Sequence, residues 1–379
     1  MLGQKKGFQP IKYPLLNKEI RSRIVGGING LQLHILEAGY ELPNKQLILL
    51  LHGFPELAYS WRKVILPLSQ LGYHVVAPDL RGYGKTTGWN SQYQERPWQF
   101  RLLNYVSDIC ELVGKLGYKK VHSVVGHDFG SPIAGWCATQ KPNIFRSLVL
   151  MSAPFAGFNH QHHNSDKIHQ DLLNLAVPRK HYQWYYTTRE ANADIMECNQ
   201  GLAKFFRAYY HMKSGDWKTN QPHELTDWVA EELAKLPEYY VMKATKNMAE
   251  TVAEEMPNSV QIANCKWLTE TELQVYAKEY SRTGFQGGLN CYWNLTDPRF
   301  NADLEPSSYN NIEVPTIFIS GDKDWGMFQA PGAIKKMEKT IDRNFLGSYL
   351  VEGAGHWVQQ ESPGKVFAIL KNFLKEIRK

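Results

Sequence analysis

The sequence predicts an α/β protein: a mostly parallel sheet with helices on both faces and a helical lid inserted into it. Three observations carry this. Short, continuously apolar runs recur in the first and last parts of the chain; longer amphipathic segments separate them; and from about 155 to 304 the strand pattern stops, giving way to an aromatic-rich, helical one. A strand covered on both faces reads as an unbroken apolar run because neither side meets water, and alternation with helices is the mark of a parallel sheet.

Taken in order, strands are expected at 47–51 (LILLL), 74–78 (HVVAP), 121–125 (VHSVV) and 147–151 (SLVLM), with helices over roughly 59–71, 98–117 and 130–140 between and after them. Helical patterns at 197–212 and 227–236 fall in the middle stretch, which shows no clear buried strand and is punctuated by Pro237, Pro257 and several glycines. Strands return at 316–320 (TIFIS) and 348–351, and an amphipathic helix over 363–377 closes the chain. The expected organisation is a core of 1–154 and 305–379 with a lid of 155–304, seated over the sheet edge where open α/β folds place their sites.

Composition narrows the function. With 379 residues, 43% of them hydrophobic, the chain can bury a large core, and its 11 Trp, 20 Tyr and 16 Phe are enough to line an apolar cavity as well. The net charge of +6 is scattered, with no basic stripe or nucleic-acid-binding module, so nucleic acid is not an expected partner. Five cysteines lie far apart without a CxxC pair, which fits reduced thiols better than disulfides or zinc. The polar run Asn159-His160-Gln161-His162-His163 has no regular ligand spacing and reads as a loop at the start of the lid. No secretory signal opens the chain, no peroxisomal or retention signal ends it, and no run approaches the roughly 18 apolar residues of a membrane span; the cytosol is the expected compartment.

The most informative segment is Gly126-His127-Asp128-Phe129-Gly130, between an expected strand and an expected helix. This is the G-x-nucleophile-x-G setting of a nucleophile elbow, in which a tight turn lifts the central side chain above the sheet. That central residue is an aspartate. A carboxylate needs no deprotonation at neutral pH and displaces at sp³ carbon to give an alkyl ester; on a carboxylic ester it would give an anhydride. One residue therefore shifts the expected chemistry from acyl transfer to C–O or C–halogen cleavage.

In such a fold the partners follow in the order acid, histidine. Ser320-Gly321-Asp322-Lys323-Asp324 follows the expected strand 316–320 and offers two carboxylates, Asp322 and Asp324. Gly353-Ala354-Gly355-His356-Trp357 follows the last strand, and its position, glycines and order single out His356 among 13 histidines as the base that activates water. Upstream, His52-Gly53-Phe54-Pro55-Glu56 follows the strand 47–51; the backbone N–H groups of Phe54 and Phe129 are the expected oxyanion hole. Asp79-Leu80-Arg81-Gly82-Tyr83-Gly84 reads as a supporting turn with an Arg–carboxylate contact, since its glycines match no phosphate-binding spacing.

Together, HGFPE at 52–56, DLRGYG at 79–84, GHDFG at 126–130, GDKD at 321–324 and GAGH at 353–356 resemble the epoxide hydrolase and haloalkane dehalogenase branch of the α/β-hydrolase superfamily, in that family's order and across both halves of the core. The resemblance implies the α/β-hydrolase fold and assigns the acid to Asp324. In the lid, Gly284-Phe285-Gln286-Gly287-Gly288-Leu289-Asn290-Cys291-Tyr292 is similar to the G-F-x-G-x-L-N-x-Y pattern of epoxide hydrolases, which makes Tyr292 one of two phenols that hold the epoxide oxygen; Cys291 stands where an aromatic is usual. The other phenol is implied in His181-Tyr182-Gln183-Trp184-Tyr185-Tyr186, where Tyr182 of the Y-Q pair is the choice and Tyr185 and Tyr186 remain alternatives. His52, Pro55, Gln183, Trp184 and Trp357 complete the expected substrate contacts.

The resemblance implies ring opening of a small hydrophobic epoxide by Asp128 and hydrolysis of the ester by water, without metal or organic cofactor, in a monomer or homodimer. The rival is a dehalogenase with the same nucleophile. That branch usually carries Trp after the nucleophile, where this chain has Phe129; fluoroacetate dehalogenases carry arginines there, where Gly130, Ser131 and Pro132 follow, although Trp184 supplies an indole in the lid. A silent relative that only binds a small ligand would be expected to lack a member of the Asp128, Asp324, His356 set.

Overall fold

The computed structural model describes residues 13–41, 45–93, 97–157, 165–307 and 311–377. Eight strands form one sheet: β1 (Arg21–Ile28), β2 (Leu31–Ala38), β3 (Leu47–Leu51), β4 (His74–Pro78), β5 (Val121–His127), β6 (Leu148–Met151), and, after an insertion carrying β7 (Arg179–His181) and β8 (Val241–Lys243), β9 (Thr316–Gly321) and β10 (Phe345–Val351). The order is β1-β2-β4-β3-β5-β6-β9-β10. The pairs β1–β2 and β2–β4 are antiparallel and the rest parallel. Every residue of β3, β4, β6 and β9 is buried, as strands sandwiched between helix layers must be.

The expected strands fall on β3 to β6, β9 and β10. The two antiparallel strands were not foreseen, for a physical reason: β2 carries His34 and Glu37 among its apolar residues, both fully buried. They are tolerated because they are paired. Glu37 accepts from Arg21, Arg23 and His74, and His34 meets Asp79 at 2.7 Å. Burial works against the Glu37 carboxylate, but these donors hold it down to about 2.

The helices Leu102–Lys115 and Gly130–Gln140 lie where expected, and the segment 59–71 divides into a 3₁₀ turn, Ala58–Trp61, and a short helix, Ile65–Gln70. Between β6 and β9 the chain forms a helical lid. Its helix Gly201–Lys213 starts later than the periodicity implied, after a left-handed Gly201, and the 227–236 segment keeps only Ala230–Leu233. The lid also contains a two-stranded ladder, β7 with β8, whose three-residue strands are too short to show a period of two. The histidine-rich run 159–163 lies outside the described residues. Among the described residues no helix is long and apolar enough to cross a membrane.

Parallel pairing of β3, β5, β6, β9 and β10 brings their C-terminal ends to one edge. The loops that follow them carry Phe54, Asp128, Asp324 and His356.

Candidate active site

Asp128 sits at the apex between β5 and the helix Gly130–Gln140 with φ of 51°, a left-handed backbone in a residue that has a side chain. The flanking glycines are required by contact: a Cβ on Gly126 would lie 2.0 Å from the Gly130 carbonyl oxygen, and one on Gly130 would lie 2.3 Å from that of Leu51. Gly53 is forced in the same way, because a Cβ there would fall 2.2 Å from Asp128 Oδ1. The loop after β3 therefore closes onto the nucleophile, and the Phe54 N–H donates to Asp128 Oδ1 at 2.8 Å.

On its other oxygen Asp128 meets the imidazole: His356 Nε2 lies 3.2 Å from Oδ2. His356 Nδ1 donates to Asp324 Oδ1 at 3.0 Å, and Asp324 is held in turn by the Ser320 hydroxyl (3.1 Å) and the Gly326 N–H (2.6 Å). Asp322 is turned away, accepting from the Gly353 N–H at the base of the histidine loop. Exposure is graded: the side chains of His356 and Asp324 are 1% exposed and that of Asp128 16%, so the elbow carboxylate is the open end of the relay. Burial alone would raise the Asp128 carboxyl, but the hydrogen bond and charge of His356, with Lys213 and His127 nearby, hold it well below the ordinary carboxylate range. Asp324 is lowered against its burial by His356 and the Gly326 N–H.

The lid contributes phenols. The rings of Tyr182 and Tyr292 lie 5.7 Å apart, with Tyr292 also edge-on to Phe54 at 5.5 Å. Burial, with Asp128 nearby, raises both phenols well above their usual value, which keeps them protonated as donors. The two alternatives differ from Tyr182. Tyr185 donates to Asp194 at 2.7 Å, and Tyr186 to the Tyr209 hydroxyl at 3.5 Å. Tyr182 donates to Gln329 Oε1 at 2.8 Å and accepts from the Gln183 amide at 3.4 Å.

The remaining expected contacts divide. Pro55 accepts from Tyr210 through its carbonyl. Phe129, nearly buried, caps the helix that follows the elbow and turns its ring edge to Tyr105. Trp184 packs against the His169 and His181 rings at 4.7 and 5.1 Å. His52 and Trp357 have their polar atoms committed elsewhere. The His52 ring donates to the Gly53 carbonyl and accepts from the Leu80 N–H, tying the loop after β3 to the DLRG turn. The fully buried Trp357 indole donates to the Tyr210 carbonyl and stacks on Tyr210 at 4.3 Å. Neither has a ring nitrogen left to offer a ligand. In the DLRG turn itself, Arg81 makes a two-pronged pair with Asp108 at 2.8 and 2.7 Å. Cys291 is fully buried under Tyr105 and Tyr83, and burial pushes its thiol up to about 12.

Sequence reasoning missed a second ionic pair beside the first. His127, inside the elbow motif, donates to Glu56 Oε2 at 2.6 Å through one nitrogen and to the His356 carbonyl at 2.7 Å through the other. Both nitrogens face acceptors, so the ring is an imidazolium. Burial opposes that charge, but Glu56 raises the ring to about 9. Glu56 also takes the Gln359 and Gln360 amides and the Gly53 N–H. The available signal was two titratable residues inside motifs whose neighbours had been given roles.

This arrangement defines a class: a carboxylate nucleophile on a strained elbow, served by a carboxylate-oriented imidazole. The chain belongs to the α/β-hydrolase-fold family, whose model matches residues 46–363, and within it to the epoxide-hydrolase branch. It is 30% identical over 352 residues to epoxide hydrolase B of Mycobacterium tuberculosis, covering 89% of this chain and 94% of that protein. Among solved structures it is similar to an epoxide hydrolase from an endophytic Streptomyces (TM-score 0.75, 28% identity, 96% of this chain and 97% of that one). It is also similar to potato (Solanum tuberosum) epoxide hydrolase I (TM-score 0.71, 28% identity, 94% and 99%).

Proposed function

We propose that this chain is an epoxide hydrolase that works through an ester on Asp128. The observation that carries the reading is the unbroken relay Asp324–His356–Asp128, with its open end beneath buried, protonated phenols.

In the first step a small hydrophobic epoxide enters between sheet and lid, among the rings of Phe54, Phe129, Tyr182 and Tyr292. Tyr182 and Tyr292 donate to its oxygen; Asp128 attacks one ring carbon, the C–O bond breaks, and one phenol supplies the proton to the departing alkoxide. In the second, His356 takes a proton from water, the hydroxide adds to the ester carbonyl, and the tetrahedral anion is held by the amides of Phe54 and Phe129. The bond between the Asp128 carboxyl carbon and the substrate oxygen breaks, and the His356 imidazolium returns its proton to the departing alkoxide. The proton left on the Asp128 carboxyl by the added hydroxide goes back to the phenolate, a vicinal diol leaves, and Asp128 is regenerated as a carboxylate. The Phe54 N–H, already on Asp128 Oδ1, needs no movement to serve the developing charge. Gln183 is a substrate-side neighbour of Tyr182. No cofactor takes part in this scheme.

We take residues 155–304 as the lid and 1–154 with 305–379 as the core. The protein is assigned to the cytosol, as a monomer or homodimer; five free thiols suit a reducing compartment.

The test is a His356→Gln variant mixed with a reactive epoxide. It should accumulate one epoxide mass on the peptide containing Asp128 and release little diol. No adduct across a panel of epoxides would overturn the reading.

A further inference from the structure

A buried cation stands beside the relay without a part in that scheme. Lys213 ends the lid helix Gly201–Lys213 and is 3% exposed. Its ammonium is enclosed by the rings of Tyr240 (4.8 Å), Tyr209 (5.4 Å), Trp357 (5.6 Å) and Tyr239 (5.7 Å), and among the described residues it forms no ion pair. A fully desolvated charge is costly unless something compensates it. Aromatic faces supply part of that compensation. Burial pushes the ammonium below its usual value, and the carboxylates of Asp128, Asp324 and Glu56 oppose that push.

The contact with the relay is built into the backbone. The Lys213 carbonyl accepts the His356 N–H at 2.8 Å. A Cβ on Gly355 would lie 2.5 Å from that same carbonyl oxygen, so lid turn and histidine loop are locked together at this point. Glu361 fastens both, accepting the N–H groups of Gly215, Gly355 and Trp357.

We propose that Lys213 is a positioning residue whose fixed charge keeps His356 unprotonated while the ester is present. The proposal rests on the ester mechanism above. The charged groups around the imidazole are Asp128 from the elbow, Asp324 from the loop after β9, His127 with Glu56 behind it, and Lys213 from the lid; Glu361, below the histidine loop, is pushed up to about 8 by burial and is neutral near pH 7. When Asp128 becomes a neutral ester, His356 loses one anion that balanced its surroundings. Asp324 and Glu56 would then face His127 and Lys213, close to neutrality. Without Lys213 the balance turns negative, which favours an imidazolium that cannot take a proton from water.

The experiment is single-turnover ester hydrolysis across pH in wild type, Lys213→Met and Lys213→Arg. Removing a buried unit charge that is coupled to Asp128, Asp324 and Glu56 should move the acidic limb of ester hydrolysis up by about one pH unit in Lys213→Met. The ester should build up several-fold at pH 6, and Lys213→Arg should restore the wild-type profile. A Lys213→Met profile that overlies wild type, whatever its rate or melting temperature, overturns the proposal. If the Met variant does not fold, Lys213→Gln gives the same readout, and NMR of the Lys213 ammonium in wild type gives another: a neutral amine at pH 6 is equally fatal. Absence of any ester in the His356→Gln variant would instead sink the mechanism. The Lys213 proposal would then be read from the NMR titration of the His356 ring, which should still move upward in Lys213→Met.

Discussion

Two imidazoles lie 5.1 Å apart at the centre of this molecule, each bound to a buried carboxylate, yet their second nitrogens differ. In His127 that nitrogen donates to the His356 carbonyl; in His356 it faces the open carboxylate of Asp128. His127 has permanent, buried acceptors on both nitrogens and is a structural tie. His356 also meets acceptors on both, but one of them is the open Asp128 carboxylate, which the mechanism converts to an ester and so frees the Nε2 side to move protons. The carboxylate partner alone does not separate base from brace; the other end of the ring does.

If that distinction is right, Asp128→Ala should cost the most, abolishing turnover while leaving the fold intact, and His356→Gln should follow, losing on the order of 10³-fold or more in turnover with trapped ester. Tyr182→Phe and Tyr292→Phe should each lower the rate of ester formation by on the order of 10²-fold, with little effect on hydrolysis of ester already formed. His127→Gln should reduce turnover less than tenfold yet cost about 3 kcal/mol in chemical unfolding, because Glu56 is left buried without its counter-charge. A loss of turnover equal to that of His356→Gln would make the two rings functional equals.

The same His127–Glu56 pair predicts an effect of pH. Against the lowering effect of burial, Glu56 holds the folded His127 ring up at about 9, above an unfolded value near 6.5, so its contribution is fully present below pH 6.5 and is lost as pH rises through 9. Wild-type stability should decline over that window by on the order of 3 kcal/mol, and His127→Gln should flatten the decline. A wild-type melting temperature constant from pH 6.5 to 9.5 would show that the ring is not held charged.

How much of this was legible beforehand depended on whether backbone or side chain set the requirement. The elbow, the loop after β3 and the histidine loop were readable because chain must pass chain there, and only glycine fits at Gly53, Gly126, Gly130 and Gly355. The lid was harder. Tyr182, Tyr185 and Tyr186 share one helical turn, and sequence alone could not rank them; in the structure each hydroxyl donates to a different acceptor, Gln329, Asp194 or Tyr209. Lys213 was invisible, because a lysine ending a helix reads as a solvated charge until the rings of Tyr239, Tyr240 and Trp357, distant in sequence, are seen to enclose it. His34 and Glu37 hid β2 for the same reason: their partners lie on other strands and loops.

The most direct test of the central claim is a single turnover of wild-type enzyme in excess over an epoxide, in water enriched in oxygen-18, with mass analysis of diol and protein. An ester on Asp128 predicts that the first diol takes an unlabelled oxygen from the carboxylate and that the label appears in the Asp128 peptide. Label in the first diol and none in the protein would mean that water attacks the epoxide directly, and the covalent account would be wrong.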